Sequence, residues 1–282
     1  MEFSNNRVLV FDFNTITDNE DAVNVLGQAD FTASGAADLT AKGFSTPLGM
    51  TYDSNSQRLF VSDNGGRVLV FSVSAISDNE DAVNVLGQAN FTSTGNDFNA
   101  KGFSIARGMT YDTDNNLLFV SDTASNRVLV FDVGSITDNE DAVNVLGQPD
   151  FTTTSTVGDT NQQGFSFMTG ATSLSNCDMT FDTANNRLFV SDSVNNRVLI
   201  FDTTLISDNE NSVGVVGQLD ENGDPVFTLG NVNGGLPDRS FLLTNDVDLD
   251  AVNHRLFVTD FSNRRVMVFN LDSNNDLIDD VA

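Results

Sequence analysis

One eleven-residue segment, D-N-E-D-A-V-N-V-L-G-Q, occurs three times without change, at Asp18–Gln28, Asp78–Gln88 and Asp138–Gln148. A looser copy, D-N-E-N-S-V-G-V-V-G-Q, follows at Asp208–Gln218, so the spacings are 60, 60 and 70 residues. A period of this length, sustained over most of a chain, is typical of a protein built from repeated structural units. The period therefore restricts the fold more than any local feature of the sequence.

Each repeat contains four short apolar runs separated by polar turns. In the first complete repeat they are Gly49–Asp53, Arg58–Asp63, Arg67–Phe71 and Ala82–Gly87, here called strands a, b, c and d. Runs of Val, Leu, Phe and Tyr bounded by Asn, Asp, Ser and Gly predict β-strands. No window has helical periodicity with capping residues. The repeat is therefore predicted to be a four-stranded antiparallel unit.

Copies of these strands follow through the rest of the chain. Strand a recurs at Gly108–Asp112, Asp178–Asp182 and Asp246–Asp250. Strand b recurs at Leu117–Asp122, Arg187–Asp192 and Arg255–Asp260. Strand c recurs at Arg127–Phe131, Arg197–Phe201 and Arg265–Phe269, with an additional copy at Arg7–Phe11. A four-stranded unit followed by a long d-to-a crossover is typical of a β-propeller blade.

We therefore predict an all-β fold, a β-propeller of four-stranded antiparallel blades with about 4.5 blade repeats. The single domain spans residues 1–282, with a c–d half-blade at 1–30, blades at about 48–88, 107–148 and 177–218, and an incomplete a–b–c blade at 245–282.

Two segments carry a family resemblance. V-S-D-S-V-N-N-R-V-L-I-F at Val190–Phe201 resembles the NHL-repeat signature, in which a D-x-x-N-x-R-V turn joins strands b and c. L-G-Q-P-D-F-T at Leu146–Thr152 is similar to the end of strand d in long-bladed bacterial members. The resemblance covers nearly the whole chain. It implies a β-propeller from a family that is diverse in function.

The repeat leaves incomplete blades at both ends of the sequence. Glu2 takes the aspartate's place before Arg7, and the sequence stops as its last strand d would begin, at Val281. Three arrangements remain open: Ala22–Gly27 could pair with Arg265–Phe269 and close a four-bladed ring, the ends could pair between chains, or further blades could lie outside this sequence. Members of the NHL family commonly have about six blades, which favours the second or third. Unpaired edges otherwise invite association.

An Asp–Arg spacing repeats in the b–c turns. The pairs five residues apart are Asp122–Arg127, Asp192–Arg197 and Asp260–Arg265. A tight hairpin would place the two side chains side by side, so we predict one partly buried structural ion pair per blade, with a role in register. The turn at Asp63–Arg67 is one residue shorter and needs its glycines to turn more tightly.

The chain has 40 acidic and 13 basic residues and a formal charge of −27. Such a field repels phosphate backbones and anionic membranes, so nucleic-acid and membrane partners are not expected. Solubility, salt adaptation or a cation-loaded surface would explain the charge.

Cys177 is the only cysteine, which leaves no disulfide and no thiol cluster for zinc. No signal peptide follows Met1, and an extracellular or periplasmic location is favoured.

The D-N-E-D loops are candidate cation sites, because calcium prefers clustered carboxylate and amide oxygens. The candidate metal ligands are Asp18, Glu20, Asp21, Asp78, Glu80, Asp81, Asp138, Glu140 and Asp141. None of these loops has the D-x-D-x-D-G spacing of a dedicated calcium loop, so solvated polar turns are the alternative.

A second acidic set lies at the start of strand a. Asp178 and Asp246 stand where the earlier blades have Gly49 and Gly108, and Asp248 follows at the next alternate position. Because inner strands line the axis of a propeller, these acids could converge near the channel mouth as a ligand or cation site. The alternative is exposed carboxylates that lie too far apart to share an ion.

Catalytic groups are few. His254 is the only histidine and lies in an a–b turn, and no G-x-S-x-G, phosphate loop or zinc spacing occurs.

The crossovers Pro149–Ser175 and Leu219–Asn245 are the longest and would hold any specific pocket. The sequence favours a non-enzymatic binding or assembly module for a protein or carbohydrate ligand or for self-association. The alternatives are a divalent-metal-dependent lyase or hydrolase using the acids at the channel mouth, and a purely structural self-associating segment.

Overall fold

The computed structural model of the chain describes residues 1–12, 14, 18–95, 98–154, 160–167, 177–218, 220, 226–228 and 240–277. Regular structure in these residues is β-strand, apart from three-residue 3-10 turns at Phe3–Asn5, Thr123–Ser125 and Phe261–Asn263. No helix in this part of the chain is long and apolar enough to cross a membrane. The predicted all-β class is confirmed.

The strands form antiparallel sheets in the order a–b–c–d. The N-terminal half-blade has c at Val8–Val10 and d at Asn24–Leu26. Blade 1 has Pro47–Asp53, Arg58–Asp63, Arg67–Ser72 and Asn84–Leu86. Blade 2 has Ala106–Asp112, Leu117–Asp122, Arg127–Asp132 and Asn144–Leu146. Blade 3 has Met179–Asp182, Arg187–Asp192, Arg197–Asp202 and Gly214–Val216. Blade 4 has strands a, b and c at Thr244–Asp250, Arg255–Asp260 and Arg265–Asn270. This repeated meander is a β-propeller fold.

The chain divides into two compact units. The first comprises Met1–Ala106 with Gly134–Asp141, and the second comprises Arg107–Val133 with Ala142–Ala282. The half-blade and blade 1 lie in the first unit. The strands of blades 2, 3 and 4 from Arg107 onward lie in the second.

In blades 1–4, strands b and c begin where the sequence predicts, whereas strand d is shorter than predicted. In blade 1 it covers Asn84–Leu86 rather than Ala82–Gly87. The φ of Gly87 is +88°, in the left-handed region, so the extended strand ends there. A Cβ on this glycine would lie 2.3 Å from Cδ2 of Phe103, so the absent side chain leaves room for the phenylalanine that anchors the crossover. The same pairing recurs as Gly27–Phe44, Gly147–Phe165 and Gly217–Phe241.

The N-terminal half-blade is a sheet of its own. Its strand d, Asn24–Leu26, pairs with its strand c, Val8–Val10. Strand c of blade 4, Arg265–Asn270, pairs with strand b, Arg255–Asp260.

Each blade has two apolar faces, and the second unit shows how they pack. Phe119, Val128 and Val130 of blade 2 lie in one buried cluster with Leu199 and Phe201 of blade 3. The surface of a blade that packs on the next blade in the chain, here the one with Val128 and Val130, is called the forward face. The opposite surface, formed by Leu and Phe of strand c, here Leu199 and Phe201, is called the rear face.

The same packing recurs within both units. In the second unit, Val198 and Ile200 of blade 3 share a cluster with Met267 and Phe269 of blade 4. In the first unit, Val8 and Leu26 of the half-blade share a cluster with Leu69 and Phe71 of blade 1. Forward-to-rear packing is therefore the repeated contact that builds the core.

Candidate functional site

The b–c turns bring an aspartate and an arginine into contact. The Nε–Oδ2 distances are 2.9 Å for Arg127–Asp122, 2.6 Å for Arg197–Asp192 and 2.7 Å for Arg265–Asp260. In blade 1, whose turn is one residue shorter, Arg67 Nη2 lies 2.9 Å from Asp63 Oδ2. The pairs of blades 1–3 have no exposed side-chain surface, whereas the side chain of Arg265 is 38% exposed.

Arg197 does more than hold the register of its hairpin. Its Nη2 donates hydrogen bonds to the carbonyl oxygens of Asn161 at 3.0 Å and Gly164 at 2.9 Å, and its Nη1 donates to the carbonyl oxygen of Phe227. The guanidinium of Arg197 therefore hydrogen bonds to both crossovers that flank blade 3, the one before it and the one after it. Burial raises the pKa of Asp192, and Arg197 opposes this by stabilising the carboxylate.

The first two residues of the D-N-E-D loop hold strand d of the preceding blade. Asp78 Oδ1 accepts hydrogen bonds from Asn24 Nδ2 at 3.2 Å and from Val25 N at 3.0 Å. Asn79, with a left-handed φ of 55°, donates its N–H to the carbonyl oxygen of Val25 at 2.9 Å. We call this arrangement the Asp–Asn clip. It recurs as Asp138-Asn139 on Asn84-Val85 and as Asp208-Asn209 on Asn144-Val145.

The other acids of these loops lie close to protein groups. The partners are the N–H of Ser77 for Glu80, the N–H of Thr137 for Glu140, Lys42 for Asp81 and Lys101 for Asp141. In the first copy, Asp18 and Asp21 are exposed and Glu20 is partly buried. Across the residues that the structure describes, no three His, Cys, Asp or Glu side chains form a group that could hold a metal ion. The geometry of the loops is that of a connection between blades.

The clip changes between blades 3 and 4. Strand d of blade 3 has Gly214 where the other d strands have asparagine, and the loop after strand c of blade 4 reads Asp276-Leu277 instead of Asp-Asn. Asp276 Oδ1 accepts a hydrogen bond from Arg187 Nε at 3.2 Å. The asparagine on strand d and the Asp-Asn pair in the next loop therefore occur together and disappear together.

Asp138→Ala is expected to lower the free energy of unfolding by about 1.5–3 kcal/mol, because the Val85 N–H loses a charged acceptor. Asp18→Ala, in an identical segment, is expected to change it by less than about 0.5 kcal/mol. The described residues make no hydrogen bond to the Asp18 carboxylate. Urea titrations of both variants, with and without calcium, measure the difference. Equal losses, or a loss that appears only with calcium, would contradict the clip.

Asp178 lies directly before strand a of blade 3, beside strand a of blade 4. The backbone N–H groups of Met179 and Val247 act to lower the pKa of its carboxyl group. Burial raises the pKa of Asp178 to about 7, and the carboxylates of Asp246 and Asp248 add to the increase. The structure therefore places the three predicted acids close enough to interact electrostatically.

Both backbone groups of Asp178 form hydrogen bonds. Its N–H donates to the carbonyl oxygen of Asn245 at 3.2 Å, and its own carbonyl oxygen accepts from the N–H of Ser191 at 3.0 Å. Within the described part of the chain, Asn245 Oδ1 and Ser191 Oγ are buried without a hydrogen-bond partner. Burial also raises the pKa of Asp246. This arrangement suits the binding of a proton near neutral pH.

Blade 4 presents its forward face to solvent. The face consists of strand a residues Asp246 and Asp248, strand b residues Phe257 and Thr259, and strand c residues Val266 and Val268. Val266 is 58% and Val268 53% exposed. Their counterparts are at most 3% exposed: Val68, Val70, Val128, Val130, Val198 and Ile200. Sequence reasoning missed this surface, because the R-V-x-V pattern is nearly the same in every blade.

The N-terminal half-blade presents its rear face to solvent. Phe11 is 40% exposed and Leu9 is partly exposed. The corresponding phenylalanines of blades 1–3, Phe71, Phe131 and Phe201, are at most 1% exposed. The two incomplete blades thus expose opposite kinds of blade face.

Other residues singled out by sequence have structural surroundings. Cys177 is buried, and burial raises the pKa of its thiol. His254 Nδ1 lies 2.6 Å from Asn275 Oδ1. Large parts of the crossovers Pro149–Ser175 and Leu219–Asn245 lie outside the described residues, so the pocket expected there is not placed.

No protein-family model matches the sequence, and a search of curated proteins gives no match. Among solved structures, "Structure of U3-55K" is similar over 84% of this chain and 56% of its own, at 11% identity and a TM-score of 0.43. "Crystal structure of RRP9 WD40 repeats" is similar over 80% of this chain and 51% of its own, at 12% identity and a TM-score of 0.39. The chain therefore spans about half the length of these structures. Its description as a β-propeller rests on the sheets described above.

Proposed function

We propose that the chain is a non-enzymatic assembly module built on an NHL-like β-propeller, and that it joins another protein chain through the forward face of blade 4. The exposure of Val266 and Val268 carries the proposal, since the same positions are buried in blades 1–3. Contiguous apolar surface of this kind marks protein interaction sites. The NHL assignment is supported by turns in which Asn126 and Asn196 have left-handed φ values of 50° and 55°.

The distribution of charge favours a protein partner. The outer part of the face is apolar at Phe257, Val266 and Val268, and its inner edge carries Asp246 and Asp248. An apolar surface bordered by polar residues is usual in a protein–protein interface. The net charge of −27 repels nucleic acid.

Light scattering over a concentration series tests the proposal. The wild type is expected to show a molar mass above 30.4 kDa that rises with concentration, and Val266→Lys/Val268→Lys is expected to remain at 30.4 kDa. Two lysines on the face would be buried without partners on association. Leu205→Lys/Val252→Lys is the matched control, because these loop side chains are 86% and 85% exposed. A wild-type mass of 30.4 kDa at every concentration would refute association.

A further inference from the structure

We infer that the partner of the blade 4 forward face is the N-terminal half-blade of a second copy of this chain. The inference rests on the proposed function and names its partner. Leu9 and Phe11 of one copy would pack on Val266 and Val268 of another. Such a contact joins two different surfaces, so a pair of copies keeps one free face of each kind and association can continue, as a closed ring or as an open filament according to the rotation between copies.

The chain already uses a contact of this kind between its own blades. Val128 and Val130 of blade 2 pack with Leu199 and Phe201 of blade 3 in one buried cluster. Val266 and Val268 repeat the first pair, and Leu9 and Phe11 repeat the second. The two exposed faces therefore have the side chains and the spacing of a blade contact that is formed elsewhere in the molecule.

The forward face of blade 4 is divided into an apolar and an acidic part. Strand c is apolar at Val266 and Val268, whereas strand a carries Asp246 and Asp248, where blade 2 has Gly108 and Thr110. A complete blade would bring its own strand a against these carboxylates and bury them without partners, which is unfavourable.

The neighbouring blades show that inner strands do come together. Asp178, before strand a of blade 3, hydrogen bonds through its N–H to the carbonyl oxygen of Asn245, on strand a of blade 4. In the described residues the half-blade consists of strands c and d, at Val8–Val10 and Asn24–Leu26. It can cover the outer, apolar part of the face and leave Asp246 and Asp248 in water. Strands c and d of the half-blade thus match the apolar part of the face.

A complementation experiment tests the partner. Phe11→Lys disables the rear face of the half-blade, and Val266→Lys/Val268→Lys disables the forward face of blade 4. Each variant alone is expected to associate at least about 30-fold more weakly than the wild type, the effect of an interface hot spot. An equimolar mixture is expected to form a complex of one copy of each variant, because one intact face of each kind remains. The complex should stop at two chains, because both remaining faces carry lysine.

Each alternative outcome has a distinct meaning. If Phe11→Lys associates like the wild type while the forward-face variant does not, the half-blade is not the partner, although the forward face still mediates assembly. If the mixture stays at 30.4 kDa, the head-to-tail contact is refuted. If the wild type itself stays at that mass, the proposed function and this inference are both refuted. Circular dichroism and thermal unfolding of each variant, with Leu205→Lys/Val252→Lys as reference, verify the fold.

Discussion

Arg197→Met is expected to lower the free energy of unfolding by about 3–5 kcal/mol, the cost of leaving a buried carboxylate without its cation. The carboxylate is that of Asp192, which has no exposed surface and lies 2.6 Å from Arg197 Nε. Burial already raises the pKa of Asp192 while the arginine is present. Without the guanidinium, the carboxyl group must either remain charged in a dry environment or take up a proton.

The loss extends beyond the ion pair. The carbonyl oxygens of Asn161, Gly164 and Phe227 lose the donors that Arg197 supplies. Each buried acceptor left without a partner costs about 1–3 kcal/mol, unless water enters. Methionine fills part of the volume but offers no donor, so the crossovers on both sides of blade 3 should loosen together.

Two further variants separate these contributions in urea titrations. Asp192→Asn/Arg197→Met removes the stranded charge and is expected to recover part of the loss. Arg265→Met changes the same position of blade 4, where Asp260 is buried but the arginine side chain is 38% exposed, and should cost less because water already reaches the guanidinium. Equal losses for Arg197→Met and Arg265→Met would show that burial of the pair does not determine its contribution.

The strands could be predicted from the sequence because each is a short apolar run between turn residues. Arg127 begins strand c and Asp122 ends strand b, as predicted, and the five-residue spacing anticipated their contact. Local composition determines such features, since a hairpin brings together residues that are close in sequence. Strand d was predicted too long because Gly87 looks like part of the strand, whereas its positive φ ends it.

The roles of the acidic loops could not be predicted in the same way. Asp78 binds the N–H of Val25, which lies 53 residues earlier and carries no side-chain signal of that contact. The change from asparagine to Gly214, together with Asp276-Leu277, was visible in the sequence and could have indicated the pairing.

The forward face of blade 4 is a property of position rather than of composition. Val266 and Val268 are valines like those of the other blades. Their exposure depends on what packs on the sheet. A sequence pattern that repeats in every blade therefore cannot distinguish the blade whose forward face is exposed.

Asp178→Asn is expected to make the chain more stable at pH 8 by up to about 4 kcal/mol, and to leave its stability near pH 3 almost unchanged. The native pKa of Asp178 is about 7, against an ordinary value of 3.8. Between pH 3.8 and about pH 7 the folded chain holds a proton at Asp178 that the unfolded chain has released. The stability contributed by this carboxyl group therefore falls as the pH rises, by up to about 1.4 kcal/mol per pH unit, and becomes constant above the native pKa.

Asparagine removes this titration and keeps the size of the side chain and one oxygen next to the backbone of Met179 and Val247. The quantity to measure is the difference in unfolding free energy between variant and wild type, in urea titrations from pH 3 to pH 8. Other carboxyl groups titrate in both proteins, so their contributions cancel in the difference. Asp114→Asn is the matched control, because it removes an equal charge from an exposed turn of the same unit.

The shape of this difference identifies its cause. Relief of general repulsion among 40 acidic residues would stabilise Asp114→Asn and Asp178→Asn alike. Burial of one carboxyl group predicts instead a difference that is specific to Asp178, grows between about pH 4 and pH 7 and then levels off. Asp248→Asn should shift the midpoint of that rise to lower pH, because its carboxylate contributes to the raised pKa of Asp178. A difference that is constant from pH 3 to pH 8 would mean that Asp178 has the same pKa in the folded and the unfolded chain, and that the acids at the start of strand a do not take up a proton on folding.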